Sequence, residues 1–114
     1  MEWDGELIDY VEGVARFSGR AELYQEFLLR FFRDPLFGEL CAAVESGDFP
    51  SAFRCAHTLK GNAGNLSLTA LYDALLPLAD LLRTGTDITR AVDMLHRLRA
   101  VYDRTAEMIE ANLS

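Results

Sequence analysis

Several residue types are scarce in this sequence, which has one lysine, two histidines, two cysteines and three prolines among 114 residues. Cys41 and Cys55 form no Cys-x-x-Cys pair and lie among apolar neighbours, which favours reduced thiols over a disulfide framework. No apolar run approaches 18 residues, and no basic, apolar and small-residue leader opens the chain. We therefore predict a cytoplasmic protein without a signal peptide, a membrane span or direct membrane contact.

Basic residues are also scarce relative to acidic ones. Eleven lysines and arginines oppose 18 acidic residues, which gives a formal charge of −7 and a pI near 4.7. Nucleic acids and anionic membranes select basic surfaces, so neither is expected as a partner, and a protein partner is favoured. The length and the apolar half of the composition predict one domain over residues 1–114 with a single core. The two histidines are not spaced with carboxylates or thiols, so we predict no metal site.

Turn residues divide the sequence into helical blocks, and no convincing alternation of period two indicates a strand. The predicted helices cover residues 6–16, 21–33, 34–47, 48–66 and 67–83, and a long last helix begins near residue 87. This pattern predicts an all-α fold, an antiparallel four-helix bundle of up-and-down topology with shorter helices at its N-terminal end.

Individual residues mark the ends of these blocks. Asp34 followed by Pro35 predicts a helix start, and Asp48 predicts the cap of the next helix. Ser67 or Thr69 could cap the fifth helix, which Gly85 should end. Pro77 lies inside that helix and should kink or split it, because its ring displaces the carbonyl group four residues earlier.

The run AHTLKGNAGNL at residues 56–66 contains the single lysine and one of the two histidines. At about 100° per residue, a helix through this run places five residues on one stripe of roughly a quarter of its circumference: Phe53, His57, Lys60, Gly61 and Gly64. The opposite side collects small and apolar residues, with Cys55 at its edge: Ala52, Ala56, Leu59, Ala63 and Leu66. One side is therefore predicted to pack, and the other to be exposed.

The composition of the exposed stripe indicates a histidine that handles an anion for a large partner. Each glycine inside a helix costs roughly 0.5 to 1 kcal/mol relative to alanine, so Gly61 and Gly64 require a reason. Clearance is the simplest one, because it would let a macromolecular surface reach the imidazole of His57. The ammonium of Lys60, one turn away, suits a phosphoryl group because it can donate charge-assisted hydrogen bonds to the phosphoryl oxygens.

These residues resemble a known family. His57, Lys60, Gly61, Ala63 and Gly64 are similar to the signature of histidine phosphotransfer (HPt) domains, the intermediate carriers of multistep bacterial phosphorelays. The likeness extends upstream through GVARFSGRAELYQEFLLRFF at residues 13–32 and AAVESGDFPSAFRCAHTLKG at residues 42–61. Two departures stand out, since Ser67 replaces the usual glycine and Pro77 is unusual in the following helix.

The resemblance implies a phosphoryl carrier without an ATP site or a cofactor of its own. His57, most simply at Nε2, would exchange a phosphoryl group with the phospho-aspartate of receiver domains in response regulators and hybrid histidine kinases. Lys60 would stabilise that group, and the receiver would supply the divalent metal and the acidic pocket. Gly61 and Gly64 would serve partner docking, while Phe53 is either a partner contact or the edge of the core.

Other interpretations remain open from the sequence. A chemotaxis-type kinase phosphoacceptor domain shares the His-x-x-Lys-Gly core, but it places a glutamate in the following helix where this chain offers at best Asp80. An autophosphorylating kinase would place a carboxylate directly after the histidine, where Thr58 stands here. A third possibility is a bundle that docks a receiver without passing phosphate. His96 lies off the apolar stripe of its own helix and is expected to be an ordinary solvated residue.

Overall fold

A computed structural model describes residues 2–85 and 87–113, and these residues contain helices and turns but no strand. The helices are α1 (Tyr10–Arg16), α2 (Ala21–Arg33), α3 (Leu36–Glu45), α4 (Phe49–Asn65), α5 (Thr69–Thr84) and α6 (Ile88–Leu113). The predicted all-α class is confirmed.

The four C-terminal helices form a closed bundle. Helix α3 packs on α4, α4 on α5, α5 on α6, and α6 returns to α3, while α2 packs on α6 and α1 on α2. The molecule measures 42 × 23 × 22 Å, and the 26 residues of α6 extend about 39 Å along its length. The predicted four-helix bundle with shorter N-terminal helices is therefore confirmed. Within residues 2–85 and 87–113, none of the helices combines the length and the hydropathy needed to cross a membrane.

Small residues on α4 let the neighbouring helices approach it closely. Ala52, Ala56 and Ala63 are fully buried, and Leu59 is nearly so. These are the residues predicted to form the packing side of the helix, and their burial fixes the opposite side toward solvent. Leucines from α5 and α6 fill the space between the helices: Leu71, Leu75, Leu78, Leu82, Leu95 and Leu98.

The helix starts differ in part from those predicted. Helix α1 begins at Tyr10 rather than at residue 6, because Asp9 accepts a hydrogen bond from the Glu12 amide at 3.1 Å and so caps the helix there. Asp34 accepts from the Leu36 amide at 2.8 Å and starts α3 one residue later than expected. Asp48 caps α4 as predicted, accepting from the Ser51 amide at 3.2 Å.

The predicted side-chain cap of α5 is wrong, and so is a split of the helix at Pro77. Neither Ser67 nor Thr69 caps α5, whose preceding residue is Leu68 and which has no side-chain cap. Pro77 does not split the helix, which runs from Thr69 to Thr84. Pro77 is exposed, so its ring displaces no core side chain, and the buried leucines on the other side hold both halves of the helix. Gly85 ends α5 in the left-handed conformation, as expected.

Candidate functional site

His57 lies in the middle of α4, and its side chain is exposed. The ring of Phe53, one turn earlier, stacks on the imidazole with centroids 5.8 Å apart and planes 28° apart. Phe53 is half-buried and packs against the core. Its ring therefore contacts both the imidazole of His57 and the bundle. Across the described residues the imidazole makes no hydrogen bond or ion pair, which leaves both ring nitrogens available to a ligand.

Lys60 follows His57 by one helical turn and is half-buried. In the part of the chain that the structure describes, its ammonium has no carboxylate partner, although five arginines do. An ammonium without a carboxylate partner is available to donate charge-assisted hydrogen bonds to an anion.

The two glycines of the stripe have different surroundings. A methyl group added at Gly61 would have no neighbouring atom within 4 Å, so this residue leaves an open surface beside His57. A methyl group at Gly64 would lie 3.3 Å from Cδ2 and Cε2 of Tyr72 on α5. Gly64 therefore also makes room for the Tyr72 ring of its own chain. Clearance for a partner is not the only reason for this glycine.

A largely apolar groove flanks α4 on one side. It encloses about 410 Å³, and Phe27 at its rim is 37% exposed. Arg30 lies over the Phe27 ring at 5.1 Å from its centroid and pairs with Glu26 at 2.6 Å. We call this the apolar groove, and its lining residues are Phe17, Phe27, Arg30, Phe31, Asp34, Leu36, Leu59, Asn62, Asn65 and Leu66.

A second groove, which we call the polar groove, flanks the other side of α4. It encloses about 580 Å³ and includes Lys60, Gly61 and Gly64 from the stripe. Its remaining lining comes from α1, the end of α4, the following turn and α5: Glu12, Arg16, Ala63, Asn65, Ser67, Leu68, Thr69, Tyr72 and Asp73. Three of the five stripe residues thus line the polar groove, whereas Phe53 and His57 line neither groove.

Ser67 ends α4 in an arrangement that normally favours glycine. Its φ of 54° is left-handed, and the amides of Ser67 and Leu68 donate to the carbonyls of Gly64 and Ala63, which is a Schellman motif. The Ser67 hydroxyl donates to Oε1 of Glu12 at 2.8 Å. This bond and the neighbouring Arg16 lower the pKa of Glu12, which stays ionised near neutral pH.

Sequence reasoning did not find Glu12 and Arg16 as parts of this surface. They lie on α1, about 45 residues before the histidine run in sequence, and only the fold brings them to the polar groove. The one signal in the sequence was Ser67 itself. A serine at a position that prefers glycine indicates that its side chain has a structural use.

The remaining candidate residues lie apart from this surface or have partners of their own. His96 is exposed on α6. Asp80 forms an ion pair with Arg83 on α5. Cys55 is half-buried, and burial raises the pKa of its thiol. Residues 2–85 and 87–113 contain no group of three histidine, cysteine, aspartate or glutamate side chains arranged to hold a metal ion.

The fold and the site together define a helical bundle that presents on one face His57, Lys60, which has no carboxylate partner in the described residues, and Gly61, which borders open space. The sequence model of the Hpt domain matches residues 22–108. The chain belongs to the Hpt domain family, the histidine phosphotransfer domains of phosphorelays.

A solved structure agrees with this assignment. The crystal structure of histidine-containing phosphotransfer protein B (HptB) from Pseudomonas aeruginosa PAO1 is similar over 96% of both chains, with a TM-score of 0.82 and 20% sequence identity. At that identity the likeness shows a shared fold. A comparison with curated protein sequences gave no match.

Proposed function

We propose that this protein carries a phosphoryl group on His57, accepting it from the phospho-aspartate of one receiver domain and passing it to the aspartate of another. The observation that supports this most directly is the exposed, unbonded imidazole of His57, which shares a face with Lys60 and Gly61 in a chain of the Hpt family. The receivers would belong to response regulators and hybrid histidine kinases, and the exchange would take place in the cytoplasm.

The proposed step is an in-line displacement at phosphorus. A ring nitrogen of His57 attacks through its lone pair, a P–N bond forms, and the P–O bond to the receiver's aspartate breaks to return a carboxylate. Nε2 is the favoured atom because it is farther from the backbone. The attacking nitrogen needs a free lone pair, so the neutral imidazole is the reactive form. Such a transfer requires positioning and charge neutralisation more than covalent catalysis.

Lys60 would supply the charge that this chain contributes. Its ammonium has no carboxylate partner in the described residues, and it lies one turn from the imidazole on the same face. Once the phosphoryl group is on His57, the ammonium would donate hydrogen bonds to its oxygens. We expect no cofactor or resident metal in this chain, and we propose that the receiver holds the divalent ion.

The receiver would dock across α4 and contact the surfaces on both sides of it. Gly61 leaves open space directly beside His57, so that a partner backbone can approach the imidazole. The partly exposed Phe27 in the apolar groove offers apolar area to the same partner. Asn62 and Asn65 line that groove and could donate or accept hydrogen bonds there.

The chemotaxis-type alternative is less well supported by the surroundings of Asp80. That residue is the acidic side chain offered at the corresponding part of α5, and its carboxylate is paired with Arg83. Asp80 also lines neither of the grooves beside α4. We therefore favour a carrier that accepts from receivers over a phosphoacceptor that is loaded directly by a kinase.

Transfer from a labelled receiver tests the proposal. A receiver domain carrying ³²P on its aspartate should pass the label to this protein within minutes, and the bound label should be lost in acid but retained in base, as for a phosphoramidate. ATP alone should give no label. Labelling by ATP without any other protein, or no labelling from any phosphorylated receiver, would contradict the proposed function.

A further inference from the structure

Three residues of the polar groove have no role in the proposed transfer of a phosphoryl group: Glu12, Arg16 and Ser67. Ser67 donates to Oε1 of Glu12 at 2.8 Å, and the same oxygen accepts from Nε of Arg16 at 3.3 Å. These contacts join the end of α4 to α1 at the groove that also holds Lys60. One carboxylate oxygen therefore fixes a serine on one side and a guanidinium on the other.

Ser67 is an unexpected residue for its backbone conformation. It is left-handed at φ 54° and only 3% exposed, and glycine adopts that conformation with less steric cost than serine. A glycine there could close α4 equally well but could not hold Glu12. The hydrogen bond from the Ser67 hydroxyl thus offsets the steric cost of the left-handed conformation. It orients the carboxylate of Glu12, which in turn orients the guanidinium of Arg16.

Among the described residues, Arg16 forms hydrogen bonds through only one of its three nitrogens. Nε donates to Glu12, and in the described residues the two terminal nitrogens make no contact, while half of the side chain is exposed. Those two nitrogens carry four N–H donors in one plane. Two parallel N–H donors match the two oxygens of a carboxylate. An exposed pair of this kind adds little to folding stability, so stability does not explain the arrangement.

We infer, building on the proposed function, that Arg16 is a specificity-determining residue that binds a carboxylate on the surface of the docked receiver. Ser67 and Glu12 are positioning residues that hold its guanidinium at the groove. The proposed receiver would hold its phospho-aspartate in an acidic pocket. Lys60, on the same stripe as His57, lines the polar groove, so acidic side chains of a docked receiver would come within reach of this groove. Lys60 serves the phosphoryl group, and Arg16 serves the partner's side chains.

Single-turnover transfer to Arg16→Ala tests this assignment, with Arg97→Ala as a matched control. Arg97 pairs with Asp93 at 3.1 Å in the same i, i+4 arrangement as Arg16 with Glu12, but it lies on α6 and lines neither groove. The donors are the receiver domains of the host organism, each phosphorylated with acetyl phosphate. The measured quantities are the half-saturating receiver concentration and the maximal rate.

Arg16→Ala should raise the half-saturating concentration of the preferred receiver about tenfold and leave the maximal rate at saturation unchanged. Arg97→Ala should change neither. Ser67→Ala should also raise the half-saturating concentration, but by a smaller factor. Arg16→Lys should raise it nearly as much as Arg16→Ala, because an ammonium lacks the parallel N–H donors of a guanidinium. Full recovery by lysine, or an equal response of the two alanine variants, would overturn the inference.

The outcome separates this inference from the function on which it rests. If the wild-type protein takes label from no receiver, the proposed function fails. If it takes label and Arg16→Ala behaves as wild type, the function stands and the assignment of Arg16 is wrong.

Discussion

At the scale of single residues, glycines within helices serve different purposes that depend on their neighbours. Gly61 borders open space, Gly64 borders the Tyr72 ring, and a methyl group at Gly13 would overlap the Tyr24 ring. All three lie within helices. Helical periodicity grouped Gly61 and Gly64 with His57, but it could not distinguish the two glycines, because the neighbour of Gly64 comes from another helix.

Gly61→Gln should separate docking from folding. The new side chain points into open space, so the free energy of unfolding should stay within about 1 kcal/mol of wild type or rise slightly, since glutamine favours the helix. The same side chain should collide with an incoming receiver and lower the rate of transfer to His57 at least about tenfold. Thermal unfolding and phosphotransfer kinetics measure the two effects.

Gly38→Gln provides the control for that experiment. Gly38 is also an exposed helical glycine with no atom within 4 Å of an added methyl group, and it lies on α3 outside both grooves. This variant should transfer at the wild-type rate. Equal transfer by the two glutamine variants, or a large fall in the melting temperature of Gly61→Gln, would defeat the docking account.

Lys60→Ala should slow phosphotransfer or shorten the lifetime of the phosphohistidine. The ammonium has no ion-pair partner in the described residues, so its removal breaks no ion pair and should change the free energy of unfolding by less than about 1 kcal/mol. Stopped-flow transfer in both directions and decay of the isolated phosphoprotein measure the effect. Unchanged kinetics in both assays would show that Lys60 is an ordinary solvated charge.

At the scale of helices, the sequence predicted the positions of the helices more accurately than the turns between them. Residues 21–33 were predicted as a helix and α2 has the same bounds, because two strong turn signals flank an amphipathic run. The end of α4 was harder to predict. There the turn depends on Ser67, on Glu12 from α1 and on Tyr24 from α2, and no local pattern contains those contacts.

Tyr24→Phe should destabilise the junction of α2 with the end of α4. The Tyr24 side chain is fully buried, and its hydroxyl donates to the Leu66 carbonyl at 2.6 Å. Burial raises the pKa of this hydroxyl, so it remains a donor throughout the physiological pH range. Phenylalanine would leave the carbonyl without its partner, which costs roughly 1 to 3 kcal/mol. Urea unfolding measures the loss.

Tyr102→Phe is the matched control for Tyr24→Phe. The Tyr102 hydroxyl donates to the Phe32 carbonyl at 3.5 Å, a distance at which a hydrogen bond is weak. Its removal should therefore cost less than about 0.5 kcal/mol. Equal losses of stability in the two variants would show that the hydrogen bond from Tyr24 to the Leu66 carbonyl contributes no more than the weak bond of Tyr102.

At the scale of the whole molecule, the bundle and the histidine face follow from periodicity, whereas the surface around that face does not. The alanines of α4 predicted its packing side, and therefore the direction in which His57 points. The two grooves are built from α1, α2, α3 and α5 as well as α4, so they exist only after the helices have packed. Arg16, the proposed partner contact, reaches the polar groove only because α1 packs beside the end of α4.

The most direct test of the account compares His57→Gln with His96→Gln in transfer from a ³²P-labelled receiver. Both histidines are exposed on helices, and they are the only two in the chain. The stripe of Lys60 and Gly61 accompanies His57 alone. We predict that His57→Gln takes up no label while His96→Gln is labelled at the wild-type rate. Label that survives in His57→Gln would contradict the assignment of the phosphoryl group to that residue.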